Sequence, residues 1–264
     1  WVPISPLEDV ATWLTDANMR FASHADYASR SQEEILGDFL HEFEYLEIDT
    51  LETVILLNLP NGIEKVALNP VAQWAPCFGP TVADFNNDGH EDVFLSQNLD
   101  TGNHEWGRMD AGHGLLLLGD GEGSLNAIPS TASGIRLKNE QRGTATADFN
   151  QDGKMDLAVL ERGEGAHLFV NQTEHTGVTV SLEGPSANPH CIGARLQKIN
   201  LQTGNVYGPA KEIQSGSGYR SLNSLKHVFA HPGKAFQIQV TWPNGKISRH
   251  SIPSGITKVT LQQP

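Results

Sequence analysis

A nine-residue stretch occurs twice in this chain, first as Asp84-Phe-Asn-Asn-Asp-Gly-His-Glu-Asp92 and again as Asp148-Phe-Asn-Gln-Asp-Gly-Lys-Met-Asp156. Both copies read D-F-N-x-D-G-x-x-D. Small-residue runs precede them (Thr81-Val82-Ala83 and Thr144-Ala145-Thr146-Ala147), and apolar runs follow (Val93-Phe94-Leu95 and Leu157-Ala158-Val159-Leu160). Such a stretch reads as a loop between two strands, and its donors define its chemistry. Oxygen ligands fall at positions 1, 3 and 5, at 7 through a backbone carbonyl, and at 9. Calcium takes about six to eight oxygens at about 2.3–2.6 Å, so this pattern suits it. Glycine at position 6 allows the sharp turn, because it has no Cβ to oppose positive φ. Without a cation, three carboxylates crowded into nine residues repel one another. The alternative is a polar hairpin turn that holds no metal.

Composition narrows the function classes. The chain has 264 residues and a formal net charge of −13. That length suits one large domain or two ordinary ones. The charge argues against a nucleic-acid binder, which needs a basic face, and against docking on anionic lipid. It suits a protein that handles cations. No run approaches the roughly 20 apolar residues of a membrane span. The chain begins at Trp1, which reads as a processed chain or an excised piece of a longer one. Cys77 and Cys191 either pair or remain buried thiols, and there is no C-x-x-C. Asn171-Gln-Thr173 fits the N-glycosylation pattern.

Residues 1–50 read as a helical segment. Ser5-Pro6-Leu7-Glu8 is expected to form a capping box with proline at the first helical position. Leu7, Val10, Trp13 and Leu14 then recur at helical spacing. Ser31-Gln-Glu-Glu34 gives a second start, leading to Ile35, Leu36, Phe39 and Leu40, with a short turn expected over Phe21–Tyr27. From Leu51 the pattern changes to short strands punctuated by Gly, Pro, Asn and Asp. Residues 51–173 carry a longer repeat. Leu56-Leu57-Asn58, Leu117-Leu118-Gly119 and Leu168-Phe169-Val170-Asn171 are its three starts, and the two acidic loops lie 64 residues apart. This period suits a four-stranded propeller blade with an insertion.

The insertion, Leu99 to Gly114, holds His104, Glu105, Trp106, Arg108, Asp110 and His113. It reads either as an acid–base or metal set or as a solvated loop with a local Arg108–Asp110 pair. Residues 174–264 alternate apolar and polar in about six runs, the pattern of half-buried antiparallel strands in a small β-sandwich or barrel. Pro243-Asn244-Gly245 marks a hairpin turn. Gly216-Ser217-Gly218-Tyr219 lacks the lysine and following helix of a phosphate loop and reads as a bulge or corner.

Together these residues resemble a known family. The two D-F-N-x-D-G-x-x-D loops are similar to FG-GAP (VCBS-type) repeats, the blade unit of integrin-α-like β-propellers. The tail resembles the ASPIC/UnbV domain found after such repeats in bacterial secreted proteins. Its matching pieces are Cys191-Ile-Gly-Ala-Arg195, Gly216-Ser-Gly-Tyr219 with Ser221, and Val240-Thr-Trp-Pro-Asn-Gly245. The segment from Arg108 to Gly121 is similar to an inter-blade segment of the bacterial members.

The resemblance implies a mainly β fold. It would comprise a partial β-propeller, a short helical segment before it, and a small β-sandwich-like ASPIC/UnbV domain after it. It also implies two Ca²⁺ sites. Asp84, Asn86, Asp88 and Asp92 would bind one by side chain, with His90 by its carbonyl. Asp148, Asn150, Asp152 and Asp156 would bind the other, with Lys154 by its carbonyl. Propellers of this kind close with about seven blades, more than this chain supplies, so a C-terminal fragment is expected.

The function expected is a calcium-binding interaction module that is secreted, periplasmic or on the cell surface. It would bind a protein or glycan through propeller loops. The chain shows no G-x-S-x-G, H-E-x-x-H or P-loop. An alternative is an enzyme acting on extracellular polysaccharide, with His104, Glu105, Asp110 and His113 as acid–base candidates and Arg108 pairing a uronate. A third reading is architectural, with the tail capping the propeller.

Overall fold

The computed structural model describes residues 5–14, 16–42, 44, 48–100, 107–231, 233 and 235–264. They fall into two compact units, Trp1–Leu51 and Glu52–Pro264.

The first unit is helical. α-Helices span Leu7–Ala11, Ala17–Arg20, His24–Ala28 and Gln32–Leu36, and a 3₁₀ turn covers Gly37–Glu42. Helices this short are marginal alone. They share a core of Leu7, Val10, Leu14, Phe21, Tyr27, Ile35 and Leu36. At Ser31 the capping box forms in full: its hydroxyl accepts from the Glu34 amide, and the Glu34 carboxylate accepts from the Ser31 amide at 2.8 Å. The box expected at Ser5 does not form. Pro6 takes the N-cap position in an extended conformation and has no side-chain acceptor to offer. The first helix ends at Ala11, so helical spacing no longer governs Trp13, which is 51% exposed.

The second unit is all but entirely β. A hairpin joins Val54–Leu59 to Gly62–Ala67. A four-stranded antiparallel meander follows in the order Cys77–Ala83, Asp92–Gln97, Leu115–Gly119, Leu125–Ile128. A second meander has three strands, Gln141–Ala147, Asp156–Glu161 and Gly165–Phe169. The leading strands of the two meanders lie against each other. The Thr81 and Thr144 hydroxyls share a hydrogen bond, and the Gly79 carbonyl accepts from Ser96 Oγ and Thr144 Oγ1. Any Cβ at Gly79 would sit 2.5 Å from the Arg142 carbonyl oxygen, so only glycine permits this approach. Ala83, Phe85, Phe94, Ile135, Leu137, Met155, Leu157 and Val159 fill the space between, joined by Val228 from the tail. Each sheet is open among the described residues.

The tail is a sandwich of a three-stranded and a four-stranded sheet. Gly177–Glu183 lies between His227–Ala230, antiparallel, and Lys258–Gln262, parallel. The other sheet runs Val206–Glu212, Arg195–Ile199, Phe236–Thr241, Ile247–Ile252, all antiparallel. Val178, Val180, Leu182, Leu196, Ile238, Val240 and Trp242 form its core with Cys191. The alternation of apolar and polar residues does not reveal His227–Ala230, because its last three residues are all buried. Nor does it reveal that the last strand is parallel. The expected turn closes at Gly245, whose φ is +79°, with the Lys246 amide on Asn244 Oδ1. Gly216–Ser221 is a tight corner, bridged between Gly218 and Ser221. Beyond it the tail meets the free edge of the second meander. The Ser224 amide donates to the Thr146 carbonyl at 2.8 Å, and the Thr146 amide donates to Asn223 Oδ1 at 3.0 Å. Cys77 and Cys191 are both free thiols.

Candidate metal loops

The two acidic loops are positioned alike. Ala83 pairs with Asp92, and Ala147 with Asp156, so each loop joins adjacent strands in the same register. Glycine at position 6 has φ of +97° (Gly89) or +79° (Gly153). Position 4 is also left-handed, +57° at Asn87 and +60° at Gln151, which the motif alone does not announce.

Inside each loop the side-chain oxygens of positions 1, 3 and 5 turn inward onto the loop's own amides. Asp84 Oδ1 and Asn86 Oδ1 both accept from the Asp88 amide, at 3.1 and 3.0 Å, and Asp88 Oδ1 accepts from the His90 amide at 2.8 Å. The second loop repeats this. Asp148 Oδ1 and Asn150 Oδ1 accept from the Asp152 amide at 2.9 and 3.1 Å, and Asp152 Oδ1 accepts from the Lys154 amide at 3.1 Å. Position 9 has a different task. Asp92 accepts from Phe85 and Asn86 with one oxygen and from Gly119 with the other. Asp156 likewise accepts from Phe149 and Asn171. These carboxylates tie loop to sheet, and both are fully buried. Burial pushes Asp92 up to about 6 against the pull of the Gly119, Phe85 and Asn86 amides. Burial also raises Asp84, opposed by Lys211 and the Gly89 amide.

Among the described residues no three His, Cys, Asp or Glu side chains form a ready metal cluster. What converges is a set of carboxylate and amide oxygens, those of positions 1 and 3 on the position-5 amide and that of position 5 on the position-7 amide. That set is hard and oxygen-only, so its chemistry fits a calcium-type cation. His90 and Lys154 contribute main chain to the loop, and the His90 ring rests against Gly121.

The loops are wired to each other and to the tail. Asn87 Nδ2 donates to the Gly153 and His175 carbonyls, at 3.2 and 2.9 Å. Its Oδ1 is buried without a hydrogen-bond partner among the described residues. Asn171 Nδ2 donates to the Phe85 carbonyl at 2.7 Å and the Met155 carbonyl at 3.0 Å, bridging one loop to the other. The Gly177 amide donates to the Gly153 carbonyl, and Thr179 Oγ1 to Asp148 Oδ2. A cleft of about 1090 Å³ separates the first loop from the tail, with Asp84, Asp88 and Glu91 facing Lys198, Tyr207 and Lys211. Sequence reasoning missed the two lysines, which stand as ordinary polar positions in alternating strands.

In the insertion, Arg108 and Asp110 form the local pair, at 3.0 Å, with both side chains about half exposed. Strands Leu99–Asp100 and Arg108–Met109 pair at its base. His104, Glu105 and Trp106 lie outside the described residues. The His113 carbonyl accepts from the Leu137 amide.

Two meanders, each with this loop between its first and second strands, form a structural repeat, and residues 84–159 match the FG-GAP-like repeat. The chain is similar to cartilage acidic protein 1. Against the Homo sapiens protein it is 27% identical over 185 residues, 68% of this chain and 27% of that protein. Against the Mus musculus protein it is 28% identical over 183 residues, 65% and 26% of the two. The Xenopus tropicalis protein is 27% identical over 184 residues, 66% and 26%. The chain thus spans about a quarter of the length of these relatives. No helix among the described residues is long and apolar enough to cross a membrane.

Proposed function

We propose that residues 52–264 are part of a calcium-stabilised β-propeller with an ASPIC/UnbV-type tail. In this reading the two meanders are blades, and the protein is an extracellular or cell-surface module that binds a protein or glycan through its propeller loops. The observation that carries it is the repeated geometry of the acidic loops, with oxygens of positions 1 and 3 on the position-5 amide in both copies. Both copies keep the same oxygens turned to the same side of the turn, which is the arrangement a shared cation would use. The similarity to cartilage acidic protein 1 supports placing the module outside the cell.

Calcium would be held by Asp84, Asn86 and Asp88 in one loop and by Asp148, Asn150 and Asp152 in the other. The His90 and Lys154 carbonyls would add to each set, and Asp92 and Asp156 would join on leaving part of their amide contacts. At the affinities of extracellular modules and roughly millimolar calcium, each site stabilises by about 0.4–1.4 kcal/mol. That suffices to order a loop without dominating the fold. Calorimetric titration of the chelator-stripped chain tests the reading. Two sites are expected, both lost in the Asp88→Ala, Asp152→Ala double variant. No binding heat and an unchanged melt would leave the loops as turns and remove the calcium from this account.

A further inference from the structure

The two loops share a motif but not a charge. Asp84–Asp92 contains four carboxylates and no lysine or arginine, whereas Asp148–Asp156 contains three carboxylates and Lys154. Lys154 stands 3.9 Å from Asp152 Oδ2, so the second loop carries its own countercharge. The first loop receives one from the tail. Lys211 Nζ lies 3.0 Å from Glu91 Oε1, and the lysine side chain is only 11% exposed. Lys198, on the neighbouring strand, anchors its Nζ on the Ala230 carbonyl at 2.8 Å, and that Nζ lies 3.8 Å from where a Cβ on Gly89 would be. Both ammoniums are close enough to Asp84 for electrostatic interaction with it. The tail approaches the second loop differently, with Lys258 reaching the Gln151 side-chain oxygen at 3.3 Å and the Thr179 hydroxyl donating to Asp148.

We propose that Lys198 and Lys211 are resident counter-cations of the first loop, so that these two tail lysines set the calcium affinity of that loop and not of the second. The proposal rests on the calcium reading above. A divalent ion entering the first loop meets two ammoniums held beside it by the tail sandwich, one on Glu91 and one on the Ala230 carbonyl. Their field opposes it, and in a half-buried cleft water screens that field only partly. Removing either lysine should tighten calcium binding at the first loop by about five- to tenfold. By linkage, calcium in the first loop loosens the hold of the lysines by the same factor. The metal would thus register in the tail, through a tail lysine–carboxylate pair of a kind the second loop lacks.

The test uses the full chain in two backgrounds, Asp152→Ala to read the first loop alone and Asp88→Ala to read the second. Calcium alone is titrated by calorimetry. Lys211→Met and Lys198→Met are expected to raise first-loop affinity about five- to tenfold and to leave the second loop within about twofold. Lys211→Arg, which keeps the charge, should leave both unchanged. Glu91→Gln keeps both lysines and frees Lys211 from its partner, so it should weaken the first loop. It serves as the second route should a methionine variant fold poorly. Calcium binding at both loops with no lysine effect, or an equal rise at both, overturns this proposal alone. No calcium binding by the unsubstituted chain overturns the calcium reading and this proposal together.

Discussion

Asn171 bridges the two loops with its side-chain amide, and its replacement has a calculable effect. Its Nδ2 donates to the Phe85 and Met155 carbonyls, one in each acidic loop, while its Oδ1 accepts from the Thr173 amide at 2.9 Å. Asn171→Ala removes all three bonds and leaves two carbonyls and an amide without their partner. At about 0.5–1.5 kcal/mol per bond, the loss is roughly 2–4 kcal/mol. For a β unit of this size a kilocalorie shifts the melt by about 2–4 °C, so Tm should fall by roughly 5–15 °C. Asn171→Asp separates the hydrogen-bond explanation from a packing one. It keeps the shape and the acceptor for Thr173 but sets a carboxylate against two carbonyl oxygens, so it should cost more than alanine. Scanning calorimetry in chelator reads both variants. An Asn171→Ala melt within about 2 °C of the parent, or an aspartate milder than the alanine, refutes the reasoning. The same geometry bears on the Asn171-Gln-Thr173 pattern. With Nδ2 committed to two carbonyls, a glycan on Asn171 would remove both bonds, so a chain glycosylated there should melt lower than the unmodified chain.

Two further outcomes follow from contacts around the tail. Gly177→Ala would place a Cβ 2.7 Å from the Phe229 carbonyl and against Val228. It should cost about 2–4 kcal/mol in urea unfolding, by forcing apart the strands that hold the second loop. His227 is held down to about 4 by burial and then by the nearby Lys211. Its folded pKa is thus depressed below the usual 6.5, so the unfolded state binds the proton first as pH falls. This contribution is present above about pH 6.5 and is lost between about 6.5 and 4, amounting to about 1–3 kcal/mol. A His227→Gln variant should flatten the stability profile across that window, and an unchanged slope would remove His227 as its source.

Features set by neighbours in sequence were readable before the fold. The acidic loops, the Ser31 capping box and the Pro243-Asn244-Gly245 turn all lie within a few residues, so spacing and residue type suffice. Ser5 shows the limit of such reading, since proline shifted by one position takes the cap and removes the acceptor. What spacing could not show depends on distant partners. Asp92 and Asp156 each accept, besides amides of their own loop, one from beyond it, Gly119 and Asn171, which spacing does not announce. Lys198 and Lys211 are ordinary alternating positions until the tail folds back across the first loop. The brevity of His227–Ala230 and the parallel pairing of Lys258–Gln262 likewise belong to the tertiary arrangement and leave no local mark.

The edge contact at Thr146 also has a consequence in time. The strands of the second meander are complete at Phe169, yet the groups that bond its leading strand, Asn223 and Ser224, lie more than fifty residues further on, and Val228, which closes its core, follows them. A ribosome adding about 5–20 residues per second takes several seconds to cover that distance. Through that interval the nascent chain carries an unpaired strand edge over an unfinished core. Crowded synthesis, or a premature stop before residue 223, therefore leaves the second meander open to pairing with a neighbouring chain.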